Sequence, residues 1–140
     1  MKPFYIAGPM TGIPQFNFPA FEEAAKELRA RGVSVISPTE LEGPEWYAAA
    51  MSSPDGNLTH AEMKAGETWG TVLGRDVTQI ADNCCGVILL DGWHKSRGAR
   101  LEAFVAIQCG MPTNRYDGDG RHAPYSHRTV MDIIAKHAVR

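Results

Sequence analysis

No apolar run approaches the ~20 residues needed to cross a bilayer. The opening Met1-Lys2-Pro3 passes straight into a strand-like stretch, without the apolar core and small-residue cleavage site of a signal peptide. Cysteine is scarce: there are three, two of them adjacent as Cys84-Cys85, with no CxxC pair and no metal-ligand spacing. That pattern points to free thiols in a reducing compartment, so a cytoplasmic protein is expected. On this reading Cys85 and Cys109 act as small hydrophobes that fill core positions. His60, His122, His127 and His137 follow neither HxxxH nor HxH spacing, and no metal site is expected. Neither sign of charge dominates either, with 14 Lys and Arg against 16 Asp and Glu and a net charge of -2. There is thus no electrostatic footprint for a nucleic-acid polymer or an anionic membrane, and any nucleotide ligand should be small. Internal repeats and low-complexity segments are absent.

What is present is an ordinary globular composition, 44% hydrophobic and 21% charged over 140 residues, enough for one continuous core and too little for two. A single domain over residues 1–140 is expected. Phe4-Tyr5-Ile6-Ala7, stopped by Gly8-Pro9, reads as a first buried strand. Phe18, Phe21, Ala24, Ala25 and Leu28 recur at helical spacing before Gly32, and Val33 to Ser37 reads as a second strand. Residues 39–66 are irregular, with Gly43-Pro44, a turn-rich run from Ser52 to Asn57 and a short helix over Glu45 to Met51. They are expected to form an insertion, either a lid or a spacer.

From Glu67 to Asp82 the positions Trp69, Val72, Leu73, Val77, Ile80 and Ala81 outline a helix face, with Asp76 on the polar side and Asp82 ending or solubilising the helix. Gly86 to Asp91 is the clearest strand. A buried helix over Gly98 to Gly110 follows, then an edge-like strand over Pro112 to Tyr116, a polar loop from Asp117 to Tyr125, and a last helix from Ser126 to Ala138 with Val130, Ile133 and Ile134 on one face. Alternating strands and helices predict an α/β, doubly wound parallel sheet of Rossmann or flavodoxin type with four to five strands.

In such sheets ligands bind beyond the carboxyl ends of the strands. After the first strand come Gly8, Pro9, Met10 and Thr11, a turn whose backbone can approach a phosphate or sugar, or a turn and nothing more. After the third lie Asp91, Trp93, His94, Lys95, Ser96, Arg97 and Gly98. Ser96 is placed to cap the following helix, whose first-turn N–H groups form an anion site. Asp91 is placed to hold a ribose hydroxyl or to cap the loop, and Trp93 to stack on a base, to wall the pocket or to serve as a structural wedge. His94, Lys95 and Arg97 add positive or donor groups nearby. Glu102, one turn into a helix of small and apolar residues, is either a surface carboxylate or a reactive one.

Tyr5-Ile6-Ala7-Gly8-Pro9, Arg75-Asp76 with Ile80 and Asp82, and Ser96-x-Gly98-x-x-x-Glu102 occur in an order and spacing that resembles the nucleoside 2-deoxyribosyltransferase-like superfamily over most of Phe4 to Pro112. The short phage and bacterial members are most similar in flavour. The resemblance implies that Glu102 is the nucleophile that attacks the anomeric carbon and holds the sugar covalently. It also implies that Asp76 protonates the departing base and that Tyr5 orients the nucleophile. Retaining glycosidases follow the same logic, with two carboxyls roughly 5–5.5 Å apart. The nucleophile should then be ionised at neutral pH and the acid should have a raised pKa.

Ser96 departs from the transferase pattern, in which an aspartate meets a free 5′-hydroxyl. A serine there is similar to relatives that hydrolyse nucleoside 5′-monophosphates, where it donates to phosphate. Hydrolysis of a ribo- or deoxyribonucleoside 5′-monophosphate is accordingly the first expectation. Base exchange by a transferase and a non-catalytic nucleotide-binding or sequestering protein are the alternatives. No cofactor is called for. A homodimer or higher homo-oligomer with shared active sites is implied, with Asn114 to Tyr125 as the part reaching across.

Overall fold

The computed structural model describes residues 1–41, 43–57 and 68–138. Five strands, β1 (Phe4–Ala7), β2 (Val35–Ile36), β3 (Gly86–Leu89), β4 (Thr113–Gly118) and β5 (Arg121–Tyr125), form one sheet in the order β2-β1-β3-β4-β5. The first four are parallel and β5 is antiparallel to β4. This is the flavodoxin-like strand order, with its topological switch point between β1 and β3.

Among the described residues the α-helices are α1 (Phe18–Ala30), α2 (Pro44–Met51), α3 (Trp69–Asn83), α4 (Arg97–Gln108) and α5 (His127–Ala138). Side chains alternate across the central strands and so divide the core in two. Ile6, Ile88 and Leu90 pack against Phe21, Ala24, Ala25 and Leu28 of α1. Tyr5, Ala7, Val87 and Leu89 face the opposite layer, built from Ile80 of α3, Ala99, Ala103 and Ala106 of α4 and Val130 of α5. The three alanines let α4 lie close to the sheet, which is how a residue on its inner face comes within reach of β1.

Several expectations are corrected. Asp117 to Tyr125 is not a polar loop: it is the second half of a β4–β5 hairpin, and β4 is an inner strand where an edge was expected. The signal is obscured by Gly118-Asp119-Gly120, in which all three residues take positive φ to make the turn. The Tyr116 hydroxyl donates to the Glu27 carboxylate and accepts from the Gly120 amide, so the hairpin fastens onto α1 of its own chain. On α3, Ala81 is exposed, and Asp76 lies on the stripe that leads to fully buried Ile80, one turn on. Among the cysteines Cys84 is the buried one, Cys85 is half-buried and Cys109 is exposed, and all three are free thiols.

The insertion is partly described. It contains the expected short helix as α2, and Ser52 to Asn57 folds back against the loop after β1, while residues 58–66, His60 among them, lie outside the described residues. The Gly12 amide donates to the Gly56 carbonyl (3.0 Å) and the Gln15 amide to Ser53 (2.8 Å). Gly56 has φ +73°, and a Cβ there would stand 2.1 Å from the Ile13 carbonyl oxygen. Among the described residues no helix is long and apolar enough to cross a membrane.

Gly56→Ala is expected to lower stability by about 2 kcal/mol or more, from the left-handed backbone and the clash together. Gly43→Ala, where nothing lies within 4 Å, should be nearly neutral. Urea unfolding of the two variants measures the difference, and equal midpoints would show that the 52–57 segment is not docked on the loop.

Candidate functional site

The loops that leave β1 and β3 touch at the switch point. The Leu90 amide donates to the Ala7 carbonyl (2.8 Å), extending the β1–β3 pairing by one step. Gly8 is required there, because a Cβ would meet Leu90 Cβ at 2.9 Å. Pro9 continues the chain with its carbonyl held by the Asn17 side-chain amide (2.9 Å). Met10 is half-buried between two clusters of the core, and Thr11 is exposed.

On the β3 side, Gly92 takes φ +80° to turn the chain into a short 3-10 segment, Trp93–Lys95. Asp91 is exposed. Trp93 is only 5% exposed, meets Tyr125 edge to face at 6.4 Å and packs in the core. His94 packs against Trp93 and His137, while Lys95 and Arg97 are exposed.

Ser96 caps α4 as expected: its Oγ accepts from the Ala99 amide at 3.1 Å. The cap uses the oxygen and leaves the hydroxyl hydrogen to donate. Arg97 and Gly98 contribute the first backbone N–H groups of the helix, which carry the positive end of its dipole. Gly98 and Glu102 are four residues apart and therefore share a helix face, and the glycine places no side chain over the carboxyl.

Glu102 is 7% exposed and thus not the surface carboxylate that its helical position alone allowed. It meets Asp76 from α3 and Tyr5 from β1. Tyr5 is fully buried and its hydroxyl lies beside both carboxyls, interacting with each yet closing a hydrogen bond of ordinary geometry on neither. Burial, and then the charges of Glu102 and Asp76, push the phenol well above its ordinary range, so it stays protonated and is a donor.

Burial above all, and next the charge on Asp76, also pushes Glu102 well above the ordinary carboxylate range, with the Tyr5 hydroxyl drawing it partly back. The sequence reading puts the raised pKa on the acid; in the structure Glu102 itself is a group with a raised pKa. The cause is its place on the inner face of α4, where water is excluded and another carboxylate is near.

The structure thus brings together buried Tyr5 and Glu102 with half-buried Asp76 near the switch point, while Gly8 and Pro9 lie in the loop after β1 and Ser96 and Gly98 at the start of α4. Trp93 is buried in the core, and Asp91 and Thr11 are exposed. A surface groove of about 530 Å³ lies elsewhere, on the α1 layer between Glu22, Lys26, Thr39 and Tyr47, where Arg29 is already paired with Glu40 at 2.6 Å. No group of three or more metal-binding side chains occurs among the described residues. Gln15, Asn17 and Ser53, which fasten the loop after β1, were not singled out in the sequence. The one available signal was asparagine's tolerance of left-handed backbone.

A raised carboxyl pKa destabilises the fold as pH rises from the unfolded value through the folded one, because the unfolded chain releases that proton more readily. Glu102→Gln should therefore raise Tm by a few degrees at neutral pH and make little difference well below pH ~4. Thermal unfolding across that range checks this, and an unchanged or lower Tm at neutral pH would mean that the buried carboxylate is stabilised where it sits.

Neither the curated proteins nor the solved structures offer a match to this chain. A family model does match, over residues 2–114, a span that contains β1, β3, α4 and Tyr5, Asp76 and Glu102. The chain belongs to the family described as a domain of unknown function, DUF4406.

Proposed function

We propose that the protein cleaves the N-glycosidic bond of a ribo- or deoxyribonucleoside 5′-monophosphate through a covalent glycosyl-Glu102 intermediate. The observation that carries the reading is the burial of Glu102 against Asp76 and Tyr5 beneath the carboxyl ends of β1 and β3. Burying one carboxyl group against another is costly and serves no packing need that an alanine would not meet. The resemblance of Tyr5 to Pro9, Arg75-Asp76 and Ser96-x-Gly98-x-x-x-Glu102 to the nucleoside 2-deoxyribosyltransferase-like superfamily supports the same assignment of roles. It also supports a homo-oligomer with shared sites. Free thiols at Cys84, Cys85 and Cys109 fit a reducing cytoplasm.

The raised pKa of Glu102 enters the mechanism directly. Two carboxyls in mutual repulsion favour the sharing of a single proton, and in the proposed reaction that proton belongs to the pair. A base nitrogen beside Asp76 draws that proton to the Asp76 side, leaving Glu102 ionised with the Tyr5 hydroxyl to orient it. One Glu102 oxygen then attacks C1′, the C1′–N bond breaks, its electron pair goes to the base, and Asp76 gives the proton to that nitrogen. In the second half, water attacks C1′, its proton returns to Asp76, and Glu102 leaves as carboxylate. Ser96 and the first amides of α4 receive the 5′-phosphate, with Gly8 to Thr11 against the sugar and phosphate.

A transferase differs only in that a second base intercepts the intermediate, and a sequestering protein would bind the nucleotide without either half-reaction. Incubation with a panel of nucleoside 5′-monophosphates, with and without an added free base, separates the three. Base release should occur without added base and fall by at least about a thousandfold in Glu102→Ala, in line with loss of a nucleophile. New nucleotide formed only with added base would make the protein a transferase. Ligand-induced thermal stabilisation equal in both proteins, with no turnover, would leave a binding protein.

The pH profile should be bell-shaped, because turnover requires one proton on the pair. Its alkaline limb should lie above the ordinary carboxylate range near pH ~4, set by the raised pKa of Glu102. A rate that is already falling below that range would remove Asp76 as the acid.

A further inference from the structure

Between the loop after β1 and the start of α1, the chain makes a left-handed turn. Gln15, Phe16 and Asn17 have φ of 58°, 52° and 60°, three consecutive non-glycine residues in a region that side chains disfavour. Such backbone persists only where its surroundings over-determine it, and here they do. Phe16 is buried with Phe18 and Ala50, and its ring lies 6.0 Å from that of Trp46 on α2.

The two polar members of the turn spend their donors in opposite directions. Gln15 Nε2 donates to the Met51 carbonyl at the end of α2 (3.0 Å), and its backbone amide to Ser53 (2.8 Å). Asn17 Nδ2 donates to the Pro9 carbonyl (2.9 Å). Asn17 also stands at the N-cap position of α1, where an asparagine normally accepts from its own helix, yet it makes no such bond. Its side chain serves the loop and not the helix it precedes. The loop is closed from its other end by the Gly12 amide on Gly56 and the Ile13 amide on Met10 (3.2 Å).

We propose that this turn is a clasp for the substrate loop Gly8 to Ile13, and that Asn17 is a positioning residue for substrate. The proposal deepens the reading of the preceding subsection and rests on it for the identity of what the loop contacts. Glycine adopts the left-handed region freely, so Asn17→Gly keeps the turn and deletes only the amide. Asp also tolerates the conformation, and Asn17→Asp turns the donor into an acceptor facing the Pro9 carbonyl.

The first measurement is made on the free protein. Hydrogen exchange at the Gly12 and Ile13 amides should become about fivefold faster in both variants, the worth of one neutral hydrogen bond, with the Tm of Asn17→Gly no lower than that of the parent. The second is steady-state kinetics with whichever nucleoside 5′-monophosphate the parent cleaves. KM should rise about fivefold in Asn17→Gly while kcat holds, since Tyr5, Asp76 and Glu102 are untouched. A merely structural role would lower Tm or the active fraction and leave KM alone, and that result would overturn the proposal. Unchanged exchange in both variants would overturn it as well. If the parent cleaves none of the nucleotides, the proposed reaction falls, and the exchange rates alone decide the clasp.

Discussion

Glu102 carries its carboxyl into the interface between β1, α3 and α4, where water is excluded and a second carboxyl stands nearby. Much of the surrounding architecture answers to that burial. Ala99, Ala103 and Ala106 bring α4 close to the sheet, Gly98 leaves the helix face above the carboxyl bare, and Tyr5 offers a hydroxyl from the strand beneath. An ionised group in this place is unfavourable unless a donor or a proton accompanies it. The Tyr5 hydroxyl is the donor beside it, and in the proposed reaction a proton shared with Asp76 passes to the bound base.

The loops above the cluster are held rather than loose. Strand order puts the ends of β1 and β3 side by side, and the contact of Gly8 with Leu90 locks the two loops together. The left-handed turn at Gln15 to Asn17 ties one of those loops to α2 and the 52–57 segment. Each of its residues costs about 1 kcal/mol or more in backbone strain, a cost offset by the burial of Phe16 and the hydrogen bonds on either side. Strain of this kind in a turn that holds the loop after β1 matches a site in which the geometry of that loop matters more than the stability of the turn that holds it.

Much of this was legible in the sequence. The buried strands at Phe4 to Ala7 and Gly86 to Leu89, the α1 face from Phe18 to Leu28 and the Ser96 cap follow from periodicity and local hydrogen-bonding chemistry, which act over a few residues. The β4–β5 hairpin was not legible, because Gly118-Asp119-Gly120 looks like a loop and the pairing that makes it a turn is set by the sheet. Periodicity puts Asp76 on a polar face for a related reason: a carboxylate is polar by composition, and only the meeting of α3 with Glu102 and Tyr5 brings it partly inward. Trp93 is open to several readings from sequence, and its packing against Tyr125 in the core comes from the fold. The raised pKa of Glu102 was beyond the sequence altogether, since it is a property of what surrounds the residue.

The central claim is that the buried carboxyl of Glu102 forms a bond to an anomeric carbon. The most direct measurement uses a 2′-fluoro-arabinonucleoside 5′-monophosphate, whose fluorine slows hydrolysis of a glycosyl-enzyme, followed by an acid quench and peptide mass mapping. The account predicts that the peptide containing Glu102 gains the mass of the fluorinated sugar phosphate, with release of one base per modified chain. Base released while that peptide stays unmodified, or the same mass found on another residue, would contradict it.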